Sequence, residues 1–578
     1  MKKRSLINTA MLVILLPLLL LQGCWFQSSP ENVVTDPEVP LEENAPVNEP
    51  PAIPTPSQPG RFTLRYDSHS SLNPITTLNR DNILLSSLLY ESLFVLDGNL
   101  KPKALLCESW SSTDNLTFTF KIKPDIAVCD GSWLGADDVA YSLKQAMLKG
   151  RYINRFKSVS SITSDGDLTV TIVLFAPNSR FINLLDIPII KSGTIDNRNP
   201  PGTGPYILVV PEPKAVQAIE DEEEKAPPDE DESEEETETE LEPEPEPEPD
   251  PVRLERFPRY RDYLSLPVST IYLLECDDSE LTELFDDGEL SLLWDDPSDA
   301  FDIRINRLPE KRFYTTSAMQ FIGFNARKGI MANPDVRRAI GCSLDRQFIV
   351  DNIMAGHQAE ASPLALPPSF WLYDKEWEHR DLDPLLEMTL LFLRAGLEDV
   401  NDDSYLELYN GVDGYVSISL DFIVNIENAY RTQAAHKIAD TLRRTGVNIN
   451  VRELSWEDFT NALKAGRFDM YYGEIMLSAD YDLSPLLLPG SELNYGGTVS
   501  SEYRPYIDDF LTARDDDEVI YAAKRLCDYI TLYAPFVPIL YKKHAIYYTM
   551  GAISGAAPSQ SGVFYDFGNW TIDMMMLS

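Results

Sequence analysis

Histidine and cysteine are scarce, with five and six copies in 578 residues. His69, His357, His379, His436 and His544 are scattered and never take the His-Glu-x-x-His spacing of a zinc site. No two cysteines lie two to four residues apart, which excludes the common structural zinc patterns. A Gly-x-Ser-x-Gly nucleophile motif is missing. The single glycine-rich turn, Gly202-Thr203-Gly204, lacks the lysine and the Ser/Thr of a phosphate loop and leads into a strand. Carboxylates are too abundant for any pair of them to mark acid–base catalysis. Nothing here implies an enzyme, a cofactor or a resident metal. Basic residues are also few: 49 Lys and Arg stand against 92 Asp and Glu, for a net charge of −43. Such a surface disfavours phosphate backbones and anionic headgroups, so nucleic acid is excluded as a partner.

Long apolar runs are missing as well, apart from one at the start. Lys2, Lys3 and Arg4 precede an apolar stretch through Leu21, the pattern of an export signal over residues 1–23. Leu21-Gln22-Gly23-Cys24 resembles the lipobox of bacterial lipoproteins, in which Cys24 becomes the acylated N-terminus. A plain anchor or an ordinary cleaved signal is the alternative. Residues 24–60 are rich in Pro, Glu, Asn and Ser and read as a disordered linker. Residues 211–250 form a second such segment, ending in Glu-Pro repeats; from 220 to 250 there are 19 acids and a single lysine. Its Glu/Asp spacing lacks the ligand order of a calcium loop.

Between these segments the composition is globular, with 43% hydrophobic and 10% aromatic residues, and the length points to two or three lobes. The most informative stretch is Leu100 to Leu143. Glu108-Ser109-Trp110 and Leu116 to Ile122 read as two strands joined by Ser112-Thr113-Asp114-Asn115, and a helix begins at Asp137-Asp138. Upstream, Phe62, Leu64 and Tyr66 alternate as a strand, and Asp81 to Phe94 follows as an amphipathic helix. Leu168 to Phe175 is strongly β-branched. Tyr206–Val210 is expected to pair with Val252–Arg256 around the acidic segment, with Gly202 and Gly204 supplying backbone angles other residues resist. Further strands are expected at 269–274, 416–422, 447–454 and 468–472. Helices are expected at 279–285, at Pro334 capped by Asn333, at 429–444 and at 456–465. Alternation of helices and strands in the carboxyl half is the mark of an α/β lobe. Cys107 and Cys129 flank the opening hairpin and read either as two buried small side chains or as a pair.

The ordered marks Leu-Lys-Pro, Glu-Ser-Trp, the Asp-Gly turn, Ala-Asp-Asp-Val-x-Tyr-Ser-Leu, Gly-Thr-Gly-Pro-Tyr and Pro334-Asp335-Val336-Arg337-Arg338-Ala339-Ile340 run through the chain. Together they resemble the family 5 extracellular solute-binding proteins, the oligopeptide-, dipeptide- and nickel-binding lipoproteins of ABC importers. The resemblance implies a periplasmic-binding-protein-like type II α/β fold: two hinged lobes in three subdomains, with mixed sheets and a central ligand cleft. It places the first lobe at 61–320, with an extra subdomain at 95–200, the second at 321–535 and a return to the first at 536–578. It further implies a monomer held outside the cell membrane by lipid. Such a protein closes around a peptide and delivers it to permease subunits served by a separate ATPase. Another solute (a nickel chelate, sugar or opine), or a sensor that kept the fold, is the alternative.

Within that frame Asp480, in Ser478-Ala479-Asp480-Tyr481, resembles the aspartate that pairs with the α-amine of a bound peptide. Read without the resemblance, it is a turn aspartate beside a packing tyrosine. Tyr481, Trp294, Tyr314 and Trp371 are the aromatic cleft candidates, and cores use aromatics for the same reasons clefts do. Asp295 is the remaining polar candidate.

Overall fold

The structure is a computed structural model that describes residues 60–211, 250–296, 305–306, 308–356, 358–497 and 501–577. The export signal, Cys24, the rest of the linker up to 59, the acidic tract from 212 to 249 and His357 lie outside the described residues.

Two sheets build the amino-terminal half. One has four strands in the order Thr63–Arg65, Thr270–Leu274, Arg253–Arg256, Tyr206–Val209, with the first pair parallel. The expected pairing across the acidic tract is present, with Tyr206 opposite Arg256 and Val209 opposite Arg253. The other is antiparallel, in the order Cys107–Ser111, Thr117–Ile122, Thr169–Leu174, Val159–Ser164. Phe118, Phe120 and Ile122 alternate inward from it, as the period of two requires. One continuous core runs beneath both sheets and takes in Tyr548, Phe564, Phe567 and Trp570 from the end of the chain.

The carboxyl half is organised on a sheet in the order Leu292–Asp295, Phe536–Thr549, Pro309–Phe324, Met470–Met476, Ser419–Asn425, Asn448–Leu454, with Ala359–Ala361 beside Phe536–Thr549. The last three strands of that path are parallel and joined by helices Ala429–Arg444 and Trp456–Ala465, so the sheet is mixed. Both helices start at the expected residues, behind capping side chains. Asn428 accepts from Arg431 N and Ser455 from Asp458 N, meeting amides the first turn leaves unpaired. Asn333 caps the Pro334 helix in the same way.

Several expectations differ. The helix expected over Asp81–Phe94 spans Arg80–Leu89, and Tyr90 is already extended. Its apolar period continues, but the backbone beyond is taken by tertiary partners: Gly204 N donates to Leu89 O, Ile189 N to Glu91 O, and Ser92 bridges Pro188. The strand expected over Val416–Phe422 is two strands, Tyr415–Ser417 and Ser419–Asn425, which belong to different sheets. Gly202 and Gly204 do not occupy left-handed backbone. A Cβ on Gly204 would lie 2.3 Å from Leu89 C, and one on Gly202 2.4 Å from the Tyr90 ring. Glycine is required there for close approach of two segments, a tertiary demand. Cys107 and Cys129 are free thiols, the first buried and the second exposed.

Candidate functional site

Two long antiparallel strands, Pro309–Phe324 and Phe536–Thr549, carry the chain between lobes. Their register breaks between Thr315 and Met319. On one side of the break the pair lies beside Leu292–Asp295; on the other, Pro309–Phe324 pairs with Met470–Met476. Thr316 and Ser317, within the break, are buried and bonded: Thr316 Oγ1 donates to Lys542 O and Ser317 Oγ to Leu477 O, both at 2.9 Å. A strand pair that changes partners at an irregularity is a hinge of the sort that lets two lobes rotate.

The lobes meet along a seam. Leu100, held at φ +63°, leaves the first half and packs in the core of the second among Met319, Leu364 and Tyr481. Ala479 goes the opposite way, into the first core. Main-chain bonds join Trp371 N to Asn99 O (3.0 Å) and Ser179 N to Leu511 O (2.6 Å). Ion pairs Lys101–Asp516 (2.8 Å) and Lys157–Glu492 (2.7 Å) close the exposed rim. Such exposed pairs contribute about 0–1 kcal/mol each, so the buried polar groups carry the specificity of the seam.

Asp480 is at the centre of that seam and only 5% exposed. Its Oδ2 accepts from Asn178 Nδ2 of the first lobe at 2.8 Å, and its Oδ1 accepts from Ser478 Oγ. Asn183 Nδ2 donates to Ala479 O at 3.0 Å, fixing the same loop. Burial pushes the Asp480 carboxyl above its ordinary value, Asp482 adds to the rise, and the Ser478 and Asn178 bonds oppose it. Arg155, whose guanidinium feels the Asp480 charge, is ion-paired with Asp186. Asp480 is thus a buried carboxylate served by neutral donors and lacking an ion pair of its own among the described residues.

The other residues singled out from sequence fall in two places. Tyr481 follows Asp480 in left-handed backbone (φ +54°) and turns into the second core, 2% exposed, stacked on Phe370 with ring centroids 3.8 Å apart. Trp371 stands next to Phe370 at the seam, with Lys101 Nζ 4.5 Å above its ring. Trp294 and Tyr314 sit together near the hinge: the indole N–H donates to Tyr314 Oη at 2.7 Å, and His544 meets both rings edge-on. Arg80 covers the outer face of Trp294 at 4.8 Å, at the mouth of a pocket shared with Leu64, Arg65, Asp81 and Leu84. Asp295 is buried within its strand, opposite Ala545.

Sequence reasoning missed a charged chain that crosses the hinge. Lys542, 6% exposed, pairs with Asp296 of the first lobe and lies 3.7 Å from Glu474 of the second. His544 Nε2 lies 3.6 Å from Asp296. Arg431 reaches Glu474 at 3.0 Å, and Gln320, itself bonded by Tyr472 Oη at 2.7 Å, donates to it at 2.8 Å. The Lys542 and His544 contacts hold the Asp296 carboxyl below its ordinary range, overcoming desolvation. The only signal in the sequence was Lys542-Lys543-His544 inside an otherwise apolar, strand-forming run. Asp67, His69 and Glu275 bring three potential metal-ligand atoms within 4.8 Å of one another. Asp67, however, already accepts from His69 N, Ser70 N, Ser70 Oγ and Asn79 Nδ2, and His69 pairs with Glu275 at 2.8 Å. A hydrogen-bonded turn with a surface ion pair accounts for the trio. Among the described residues no helix is long and apolar enough to cross a membrane.

The family model described as bacterial extracellular solute-binding proteins, family 5, middle, matches residues 101–221 and 247–494, its break falling in the acidic tract. Among curated proteins, the glutathione-binding protein GsiB of Escherichia coli O1:K1 is 24% identical over 317 residues, 52% of this chain and 55% of that one. The chain therefore spans about half the length of the curated relatives it matches. Among solved structures, the oligopeptide-binding protein AppA from Bacillus subtilis, in complex with a nonapeptide, superposes with a TM-score of 0.57 at 19% identity, over 89% of this chain and 97% of that one. NikZ from Campylobacter jejuni, in complex with Ni(L-His), superposes with a TM-score of 0.60 at 18% identity, over 89% and 100%. At these identities the superpositions establish a shared two-lobed fold.

Proposed function

The chain belongs to family 5 of the bacterial extracellular solute-binding proteins, and on that premise we propose that it binds peptides between its lobes and delivers them to an ABC permease. Lipid on Cys24 would tether it outside the cell membrane, and the ATPase would be a separate subunit. The observation that carries the peptide reading is the state of Asp480. A carboxylate buried at the seam, with neutral donors and a raised pKa, is a site in want of a cation. The α-ammonium of a peptide supplies one, with a charge-assisted hydrogen bond where Asn178 now provides a neutral one. Trp371, Trp294 and Tyr314 would add aromatic edges to the rest of the guest, the faces of Trp371 and Trp294 being covered by Lys101 and Arg80. Rotation about the Thr315–Met319 break admits it, and closure restores the seam.

Native mass spectrometry of protein purified from its own cells tests the reading. A co-purified peptide with a free amino terminus is the expected finding. A metal chelate or a sugar in its place would refute the peptide assignment while leaving the binding role intact.

A further inference from the structure

Helix Pro334–Cys342 packs on helix Pro384–Arg394 and on the start of strand Phe536–Thr549. Arg338 and Cys342 are four residues apart and so share one face of the first helix. Arg346 opens the short helix that follows, and Arg380 precedes the second helix, which carries Glu387. These five side chains line a hollow walled by Pro538. None of its lining residues is among the seam contacts or in the pocket beside Trp294.

Three guanidiniums face one carboxylate in this hollow, on a chain whose net charge is −43. Glu387 is shared: Arg338 Nη2 donates to its Oε1 at 2.9 Å and Arg380 Nη1 to its Oε2 at 3.3 Å. Arg380 Nη1 also lies 2.9 Å from Cys342 Sγ. Arg346 has no carboxylate at all. Its Nε donates to Pro538 O at 3.0 Å and its Nη1 reaches Gly341 O at 3.4 Å, while Nη2 has no acceptor among the described residues. Burial, then the repulsion of Arg380, pushes this guanidinium down to about 10. Neighbouring acids do not close the gap. Asp335, 3.8 Å from Arg338, is forked by Arg394, so those two cancel. Glu378 accepts from the Tyr373 hydroxyl, and counting it still leaves one positive charge in excess. The free space is about 30 Å³. One water takes about 10–15 Å³ of such space, so the hollow holds two waters or a single small oxyanion. Waters would satisfy the donors and leave the charge uncompensated. Arg338 and Arg380 give access from solvent, being 19% and 27% exposed.

We propose that Arg338, Arg346 and Arg380 form a site for a tetrahedral oxyanion, as inorganic phosphate or as the phosphate of a monoester, independent of the peptide reading above. Planar guanidinium forks match the oxygens of such an anion, and three of them suit its several acceptors better than the two of a carboxylate. Through the Arg346 bond to Pro538 O, the bound anion would tie both helices to the root of a hinge strand.

Isothermal titration of the full chain with inorganic phosphate, phenyl phosphate and chloride, at fixed ionic strength, tests this. Phosphate is expected to bind one to one with a Kd of about 1 mM or tighter, and chloride to give no saturable heat. Arg346→Gln and Arg380→Gln should each weaken phosphate binding about tenfold or more, the worth of one charge-assisted hydrogen bond. Glu387→Gln should tighten it by about as much, because the carboxylate that competes for Arg338 and Arg380 is then neutral. A merely structural cluster gives no such gain. Thermal scans identify any variant that fails to fold, and Arg380→Gln, at the mouth of the hollow, then carries the test. Phenyl phosphate binding as well as phosphate would assign the site to monoesters, and phosphate binding alone to the free ion; either sustains the oxyanion site. No saturable heat from phosphate up to about 10 mM in the wild type, or undiminished binding in folded Arg380→Gln, would overturn it.

Discussion

Asn178 and Asp480, 302 residues apart in the chain, are joined by a 2.8 Å hydrogen bond that crosses from one lobe to the other. A neutral amide meets a buried carboxylate there, a contact strong enough to hold the lobes together and weak enough for an ammonium to replace. Hydrogen bonds to charged groups contribute about 1.5–3 kcal/mol, roughly a ten- to hundredfold change in an open–closed equilibrium.

Asn178→Leu should therefore shift the protein towards the open form. Small-angle scattering of the purified chain would show a larger radius of gyration than the wild type. An unchanged value would mean that the other seam contacts, Leu100, Ala479 and the Asn183 and main-chain bonds among them, hold the lobes without it.

Asp480→Asn is expected to weaken binding of peptides with a free amine by about 2 kcal/mol or more, some thirtyfold. N-acetylated peptides should bind both forms alike, because the acetyl group removes the charge that the aspartate serves. Isothermal titration of the four combinations isolates the pair, as in a double-mutant cycle.

The pH dependence has a definite sign. The Asp480 carboxyl is raised in the folded protein, so the folded state holds a proton that the unfolded chain has lost. Its contribution favours folding below the ordinary carboxylate value near 3.8 and is lost as pH climbs through the raised one. Affinity for an amine runs the opposite way, rising across that same interval, since only the ionised carboxylate pairs with an ammonium. Titrations from pH 4 upward should show the rise in the wild type and none in Asp480→Asn.

Lys542→Met would leave Asp296 and Glu474 in a buried site without the cation that lies against both. Removing one member of a buried pair costs about 3–5 kcal/mol, which denaturant unfolding would detect directly. Adding Asp296→Asn and Glu474→Gln should recover much of that loss.

Gly204→Ala should destabilise by about 1–3 kcal/mol or more, since the added carbon would meet backbone at 2.3 Å. Gly131→Ala puts an alanine at φ +92° with nothing within 4 Å, and there only backbone strain opposes it. A lower Tm for the first variant than for the second is the expected order.

Local chemistry was legible before any coordinates. Asn333 announced its helix, and Phe118, Phe120 and Ile122 displayed the inward face of their strand. These signals survive because a cap or an alternation acts over a few residues. An α/β lobe followed from the order of such blocks, and the two-lobed fold from the resemblance to family 5.

What the residues could not announce lies wherever partners are remote. The side chains of Asp480 and Tyr481 are adjacent in the chain and part at a left-handed residue, one into the seam and the other onto Phe370. Lys542 meets Asp296, 246 positions away, and Gly204 is glycine because Leu89 passes beside it. Short-range bonding wrote the elements and the family into the chain. The ionic chain across the hinge and the buried acid at the seam exist only once folding brings distant segments together, because charge and steric contact act through space and leave no periodic trace in the sequence.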